Sequence, residues 1–278
     1  MNFQTLENIS LPRLAELFNN AFADYFVKVN LTPDILEEKI YSEDIDLNFS
    51  MGFFEHERPV GFMLHAIREI DGKKVAYNAG TGVIKEFRGQ NATVKMYEHL
   101  IPLLKKQSVS EVLLEVIEQN TAAIRSYEKA GFNIVADLPC FNGAVKKPVS
   151  IAGVEVKELE KLQFSEVQKF FDWQPTWQHT NATISKMENL RTFGAFMNDK
   201  LVGFLIGQPS RARVYQFGVA KEFRKKGIGK ALFYAFAEAM QSEISIINID
   251  DPSGNSQLFL QQIGLKPFLS QYKMKLKL

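Results

Sequence analysis

Gly82–Arg88 reads GVIKEFR and Gly218–Arg224 reads GVAKEFR, so six of seven positions agree between two segments about half a chain length apart. Further matches follow the same order. Gly52-Phe53-Phe54 leads to Val60-Gly61-Phe62, as Gly194-Ala195-Phe196 leads to Val202-Gly203-Phe204. Downstream, Ala130-Gly131-Phe132 answers Ile263-Gly264-Leu265. The spacing drifts by a few residues, as loop insertions and deletions make it drift. A period this long means a duplicated domain and not a solenoid. A chain of 278 residues with 46% hydrophobic residues has enough apolar material for two cores. The boundary is expected at Lys146-Lys147-Pro148, which is short, polar and marked by proline. The expected domains are therefore 1–147 and 148–278.

Each half reads as a short strand, one or two helices, hairpin strands, and then alternating helices and strands. Leu14, Leu17, Phe18 and Phe22 recur at helical spacing. Thr32-Pro33-Asp34 starts a second helix with a capping residue, a proline and an acid. Strands are expected over 50–55, 60–70 and 74–84, then a helix over 91–105. A buried strand over Val112–Ile117 and a helix over Asn120–Ala130, stopped by Gly131, come next. A strand from Phe132 is expected to complete the unit. That strand looks short after Cys140, so Ile151–Val156 or the opposite half is expected to help complete the first sheet. In the second half Ile228, Ala231, Leu232, Ala235, Phe236 and Ala239 form one apolar helical stripe. A strand over Ile244–Ile249, a helix ending at Gly264, and an alternating final strand through Tyr272, Met274, Leu276 and Leu278 follow. The fold class is α/β (α+β), with a mixed, mostly antiparallel sheet flanked by helices in each half.

Composition excludes several functions. The net charge is +1, from 33 basic and 32 acidic residues, which gives no global electrostatic case for nucleic acid or an acidic membrane surface. One cysteine, Cys140, rules out an internal disulfide and a cysteine-rich zinc site, and the four histidines lack ligand spacing. Cys140 and His65 read as structural. The N-terminus lacks the apolar run of a signal peptide, and no stretch reaches membrane-span length. The expectation is a cytoplasmic protein without metal, a monomer or homodimer.

Arg224-Lys225-Lys226-Gly227-Ile228-Gly229-Lys230 lies between a strand and an amphipathic helix. Glycines there let backbone amides converge, and the helix start offers unpaired N–H groups and a positive dipole end. The string reads either as a pyrophosphate cradle or as a basic helix start with glycines for packing. It is not a P-loop, because GxxxxGK[ST] is absent.

The order hairpin, strand, RxxGxG, helix, strand, Asn, helix, Tyr-x-x-x-Gly-Phe resembles the GNAT superfamily of acetyl-coenzyme A-dependent N-acetyltransferases. The first half carries Arg88-Gly89-Gln90, Leu113-Leu114-Glu115-Val116, Asn120, Tyr127 and Gly131-Phe132; the second carries Arg224 to Gly229. The chain thus resembles a tandem GNAT protein over nearly its whole length. The resemblance implies that amides of Lys225–Lys230, and of Gln90–Lys95 with Asn91 and Thr93, hold the coenzyme pyrophosphate, with Arg88 and Arg224 alongside. It implies a pantetheine cleft where two central strands splay apart, and a backbone N–H near Val83 or Val219 holding the thioester carbonyl. Asn120 matches the family's asparagine, and Tyr127 matches the tyrosine that protonates the departing thiolate. Glu115, Glu118, Asp250 and Asp251 qualify by position as general base, and Asn78 as a group orienting substrate or water. Phe22, Asp24, Tyr25 and Phe26, and in the second half Phe170, Phe171, Trp173, Trp177 and His179, read as acceptor-pocket lining or as core.

The halves depart from the pattern in opposite ways. Asn91 and Thr93 replace the two loop glycines of the first half, and Leu260 stands where the second half should carry its tyrosine. Acetyl transfer is expected in the first half, where Asn120 and Tyr127 are in register, and tighter coenzyme binding in the second. The expected reaction moves acetyl to a primary amine of a small molecule or peptide by direct attack on the thioester. The alternatives are a non-catalytic acyl-CoA-binding or scaffold protein and a nucleotide-binding protein.

Overall fold

The computed structural model describes residues 2–26, 29–149, 151–171 and 173–278. The chain divides into two compact units. One comprises Met1–Val135 with Tyr272–Leu278, the other Ala136–Gln271. The expected cut at Lys147 is a division of the sequence; the compact units are drawn differently, because each takes up one strand from the far half of the chain.

In the first unit, strand β1 (Asn2–Thr5) precedes helices α1 (Leu11–Ala21) and α2 (Pro33–Glu43). Helix α1 buries Leu14, Leu17 and Phe18 as its periodicity predicts. Thr32 caps α2, its Oγ1 accepting from Ile35 N at 3.2 Å. Strands β2 (Met51–Glu55), β3 (Arg58–Ile70) and β4 (Lys73–Val83) form an antiparallel meander. Helix α3 (Ala92–Lys106) then crosses to β5 (Val109–Ile117), which pairs parallel with β4. Helix α4 (Thr121–Lys129) follows. The sheet order is β1-β2-β3-β4-β5, and the chain's C-terminal end closes it beside β5, with Leu278 N donating to Ser110 O at 3.0 Å.

The strand expected to complete this unit, β6 (Asn133–Gly143), pairs instead with a strand of the second unit. There β7 (Val154–Leu159) leads through two four-residue helices, α5 (Phe164–Val167) and α6 (Asn181–Ile184), in place of longer ones. Strands β8 (Arg191–Met197), β9 (Lys200–Gln208) and β10 (Arg213–Val219) repeat the meander; helix α7 (Ile228–Met240), strand β11 (Ile244–Ile246), helix α8 (Asn255–Ile263) and strand β12 (Lys266–Lys277) follow. The order is β7-β8-β9-β10-β11-β6, with β10 and β11 parallel. Val154–Leu159 pairs with β8 and lends nothing to the first sheet. Strand β11 stops three residues short of Ile249, because Asn248 takes a left-handed φ of 55° and hydrogen-bonds Cys140 Sγ through its N–H. Among the described residues no helix is long and apolar enough to cross a membrane.

The repeated heptad has a structural cause. A Cβ on Gly82 would lie 2.8 Å from Ala21 Cβ, and one on Gly218 would lie 2.8 Å from Phe170 Cβ. Both glycines let an incoming chain press onto the strand end. The arginine six residues on then ties that chain down. Arg88 donates to Val83 O (3.0 Å) and Ala21 O (2.9 Å); Arg224 donates to Val219 O (2.8 Å) and Phe170 O (3.1 Å).

Candidate functional site

Strands β4 and β5 pair in register only as far as Asn78 and Leu114 and then part. A bulge in the β3–β4 ladder at Leu64/His65 coincides with this parting. Beyond it opens a cleft of about 610 Å³, walled by the end of β4, the 88–93 loop, helix α4 and the chain after α1. Within the first unit it gathers Val83, Arg88, Gly89, Asn91, Thr93, Asn120 and Tyr127 from the expected set.

The loop at the cleft's floor is a cradle of amides. Gly89 (φ 77°) and Asn91 (φ 55°) are left-handed, as are Lys225 (φ 57°) and Gly227 (φ 85°) at the matching places in the second unit. Asn91 adopts the conformation that Gly227 adopts, at the small cost asparagine bears there. No side chain caps α3, so its first N–H groups face the cleft end without an intrahelical partner. At the end of β4, Ile84 N donates to Val60 O at 2.9 Å. Strand alternation turns the Val83 N–H the other way, toward the splay.

Tyr127 on α4 is buried and lines the cleft. Burial pushes its phenol up to about 12, partly offset by a hydrogen bond with Thr81. Asn120 caps α4, its Oδ1 accepting from Ala123 N at 3.1 Å, while its side chain also hydrogen-bonds Tyr25. Phe22, Asp24, Tyr25 and Phe26 line the same cleft, so the first half's aromatic cluster is a wall and not core. Arg88 is engaged on all sides. Besides its two carbonyls it pairs with Asp24 at 2.7 Å, and that guanidinium holds the Asp24 carboxyl below its usual range.

Other expected residues lie outside these walls. Asn78 is buried, donating to Thr81 Oγ1 and Tyr97 Oη, each at 2.8 Å, and accepting from Gly80 N at 3.0 Å. It fixes the bulge and does not face the cleft. Glu115 accepts from Tyr77 Oη at 3.0 Å, bracing β5 against β4. Gln90 is not a wall residue, and its Oε1 is buried without a partner. Asp250 and Asp251 are buried; Asp251 accepts from Ser256 N at 2.7 Å and Ser253 N at 2.9 Å, capping the start of α8.

The second unit's loop keeps the backbone shape and is exposed at Lys225, Lys226 and Gly227, with two apolar side chains packed beside it. Ile151 Cδ1 would lie 3.0 Å from a Cβ on Gly227, and Phe259 Cζ 2.9 Å from one on Gly229. Phe259 and Trp173 both stack on Phe217, with centroids at 5.8 Å and 5.7 Å. Gln174 N donates to Asp250 O at 3.0 Å across the place where β10 and β11 part. Trp173, Trp177, Phe170 and His179 are buried, so the second aromatic cluster is core. Ile228 is buried, Lys226 lies over the Phe223 ring at 5.2 Å, and Lys225 is exposed.

Thr81, Tyr97, Ile151 and Phe259 were not foreseen from the sequence. A signal for the last existed. Counted back from the helix-ending glycine, Phe259 stands where the first half has Ser126, a cleft wall.

The Acetyltransferase (GNAT) family matches residues 14–132 and again 154–264. A tandem GNAT protein from the clavulanic acid biosynthesis pathway superposes with a TM-score of 0.75 at 13% identity, covering 99% of this chain and 98% of that one. A GCN5-related N-acetyltransferase from Sphaerobacter thermophilus gives 0.73 at 13% identity, over 99% and 95%. N-alpha-acetyltransferase 30 of Schizosaccharomyces pombe is 34% identical over 56 residues, which are 20% of this chain and 37% of that protein.

Proposed function

The chain belongs to the GNAT acetyltransferase family, and from that premise we propose that its first half transfers acetyl from acetyl-coenzyme A to a primary amine. The observation that carries this reading is the cleft of the first unit, where loop amides, the outward Val83 N–H and Tyr127 share one space. The residues present fit the coenzyme. The N–H groups of the 89–94 loop and helix start suit a diphosphate, and the parted strands leave room for a narrow chain. When bound, the coenzyme supplies an activated acetyl group as a thioester.

In this reading the protein's own groups divide the work. The Val83 N–H donates to the acetyl carbonyl oxygen as its charge grows. Tyr127, neutral throughout the physiological range, donates a hydrogen bond to the sulfur as it leaves. Thr81 positions Tyr127, and Asn78 positions Thr81. Attack by the amine is direct, since Cys140 is fully buried in the other unit and serves no acyl relay. The second unit, with Leu260 in place of the tyrosine, is the non-catalytic copy.

For the acceptor, Phe22, Tyr25 and Phe26 supply an aromatic wall suited to an amine on a small molecule or a peptide. The partial likeness to an N-alpha-acetyltransferase makes peptide N-termini the first acceptors to try. The test is thiol release from acetyl-coenzyme A with a panel of peptides and small amines. The reading expects acetylated product with at least one acceptor, losing most of its rate in Tyr127→Phe. No thiol release with any acceptor, together with no acetyl-coenzyme A binding, would overturn it.

A further inference from the structure

Behind Tyr127 lies a train of buried polar side chains. Asn78 Oδ1 accepts from Gly80 N at 3.0 Å, which fixes the way its amide faces. Its Nδ2 then donates to Thr81 Oγ1 and to Tyr97 Oη, each at 2.8 Å. With that phenol oxygen already accepting, the Tyr97 proton is left for His65 Nε2, 3.4 Å away. Burial lowers the His65 imidazole to about 3, so it is neutral and able to accept. The His65 backbone is anchored in turn, its N–H donating to Ser50 Oγ at 2.9 Å and its carbonyl accepting from Asp46 N at 2.8 Å. At the near end the Tyr97 ring meets the Tyr127 ring edge-on, with centroids 6.5 Å apart, and Phe132 packs against both rings at 5.0 Å and 5.8 Å.

The duplication shows what else these places can hold. His65 and Asn78 face each other in the β3–β4 ladder, as Gly207 and Val214 do in the β9–β10 ladder. Thr81 and Phe217 each precede the glycine of the repeated heptad. Tyr97 and Phe233 each stand six residues past the left-handed Asn91 or Gly227. Tyr127 and Leu260 each stand four before the glycine that ends the helix. All five polar residues thus have glycine or an apolar residue as counterpart, and Val214, Phe217, Phe233 and Leu260 share the second unit's core. The same fold closes this region with side chains that need no hydrogen-bond partner. Core filling therefore does not account for the polar set, and the set goes together with the tyrosine that lines a cleft.

We infer that His65 and Tyr97 are positioning residues for Tyr127, and that the train His65–Tyr97–Asn78–Thr81 holds its phenol at one place in the cleft. This rests on the reading of Tyr127 as the hydrogen-bond donor to the departing sulfur. A reacting group misplaced by about 1 Å loses about a hundredfold in rate. A satisfied buried network keeps a side chain from such displacement. Neither His65 nor Tyr97 lines the cleft, so their effect passes through Tyr127.

The experiment is a double-mutant cycle on thiol release from acetyl-coenzyme A, with whichever peptide or small amine of the panel reacts fastest. Tyr97→Phe keeps the ring and removes the hydroxyl. It should lower kcat about tenfold, with KM and calorimetric affinity for acetyl-coenzyme A unchanged. In a Tyr127→Phe background the same change should have no further effect, because no phenol is left to place. Thr81→Val, run through the same cycle, gives the reading if Tyr97→Phe melts below the assay temperature. His65→Gln keeps an acceptor for Tyr97 and should lose less rate than His65→Leu. Wild-type kcat in Tyr97→Phe, or a loss of equal size in both backgrounds, would overturn the train and leave the role of Tyr127 standing. Equal rates in the two His65 variants would take His65 out of it. Wild-type kcat in Tyr127→Phe, or no thiol release by wild type, would remove the role of Tyr127 and the train with it.

Discussion

Tyr127 concentrates the chemistry of the account in one side chain. Burial lifts its phenol to about 12, so it stays protonated well above neutral pH and acts as a donor. An ordinary tyrosine near 10 would switch off with a descending limb above that pH. The turnover rate should instead stay level from pH 8 to pH 10.5, and Tyr127→Phe should lower it about a hundredfold while leaving acetyl-coenzyme A affinity unchanged. A pH–rate profile with a clear fall near pH 9 or 10 would contradict this role. Tyr127 was legible in the sequence through its spacing from Gly131. Thr81, which holds it, was not, because the contact joins residues distant in sequence across a strand bulge. Glu115 and Asn78 were legible only as strand-end polar residues, and sequence spacing alone could not tell a cleft wall from a brace within the sheet.

At the scale of the element, the loop entering α3 does its work through backbone conformation. Asn91 and Gly227 are both left-handed, so the replaced glycine in the first half leaves the cradle intact. Asn91→Gly should keep both stability and coenzyme affinity. Asn91→Val places a branched side chain in that conformation and should cost about 1–2 kcal/mol of stability, read from the urea midpoint, along with weaker binding. The strands and the α3, α4 and α7 helices were legible from alternation and from apolar stripes. The end of strand β11 and the short helices α5 and α6 were not. Their ends are set by Asn248 folding onto Cys140 and by aromatic packing of 170–179, neither of which leaves a periodic trace. The repeated GV-x-KEFR heptad is the clearest case of a motif legible in position but not in role. Its glycine and arginine fasten the chain entering the strand end, at Ala21 in one unit and at Phe170 in the other.

Over the whole molecule, duplication has produced two units of one fold and unlike interiors. His65 in the first and His179 in the second are fully buried, and burial lowers each to about 3. An unfolded imidazole takes its proton near 6.5, whereas these stay neutral in the fold until about pH 3. Their contribution to stability is complete above pH 6.5 and drains away as pH falls from there toward 3. The melting temperature should therefore drop between pH 7 and pH 5, before most carboxylates titrate, and a flat melting temperature over that range would contradict the burial. The duplication itself was plain in the sequence. The placing of the final strands was not, because no feature of the sequence of β6 or β12 names the sheet each joins. The 88–93 loop, with Asn91 and Thr93 in place of the glycines, borders the first unit's cleft, while Ile151 and Phe259 pack beside the loop with the fuller motif. The central claim, one coenzyme site and that in the first half, is tested most directly by exchanging the side chains at the matching positions Ser126 and Phe259. Acetyl-coenzyme A should titrate into wild type at one molecule per chain, into Phe259→Ser again at one, and into Ser126→Phe, still folded by circular dichroism, not at all. Two molecules per wild-type chain, or unchanged binding in Ser126→Phe, would contradict the account.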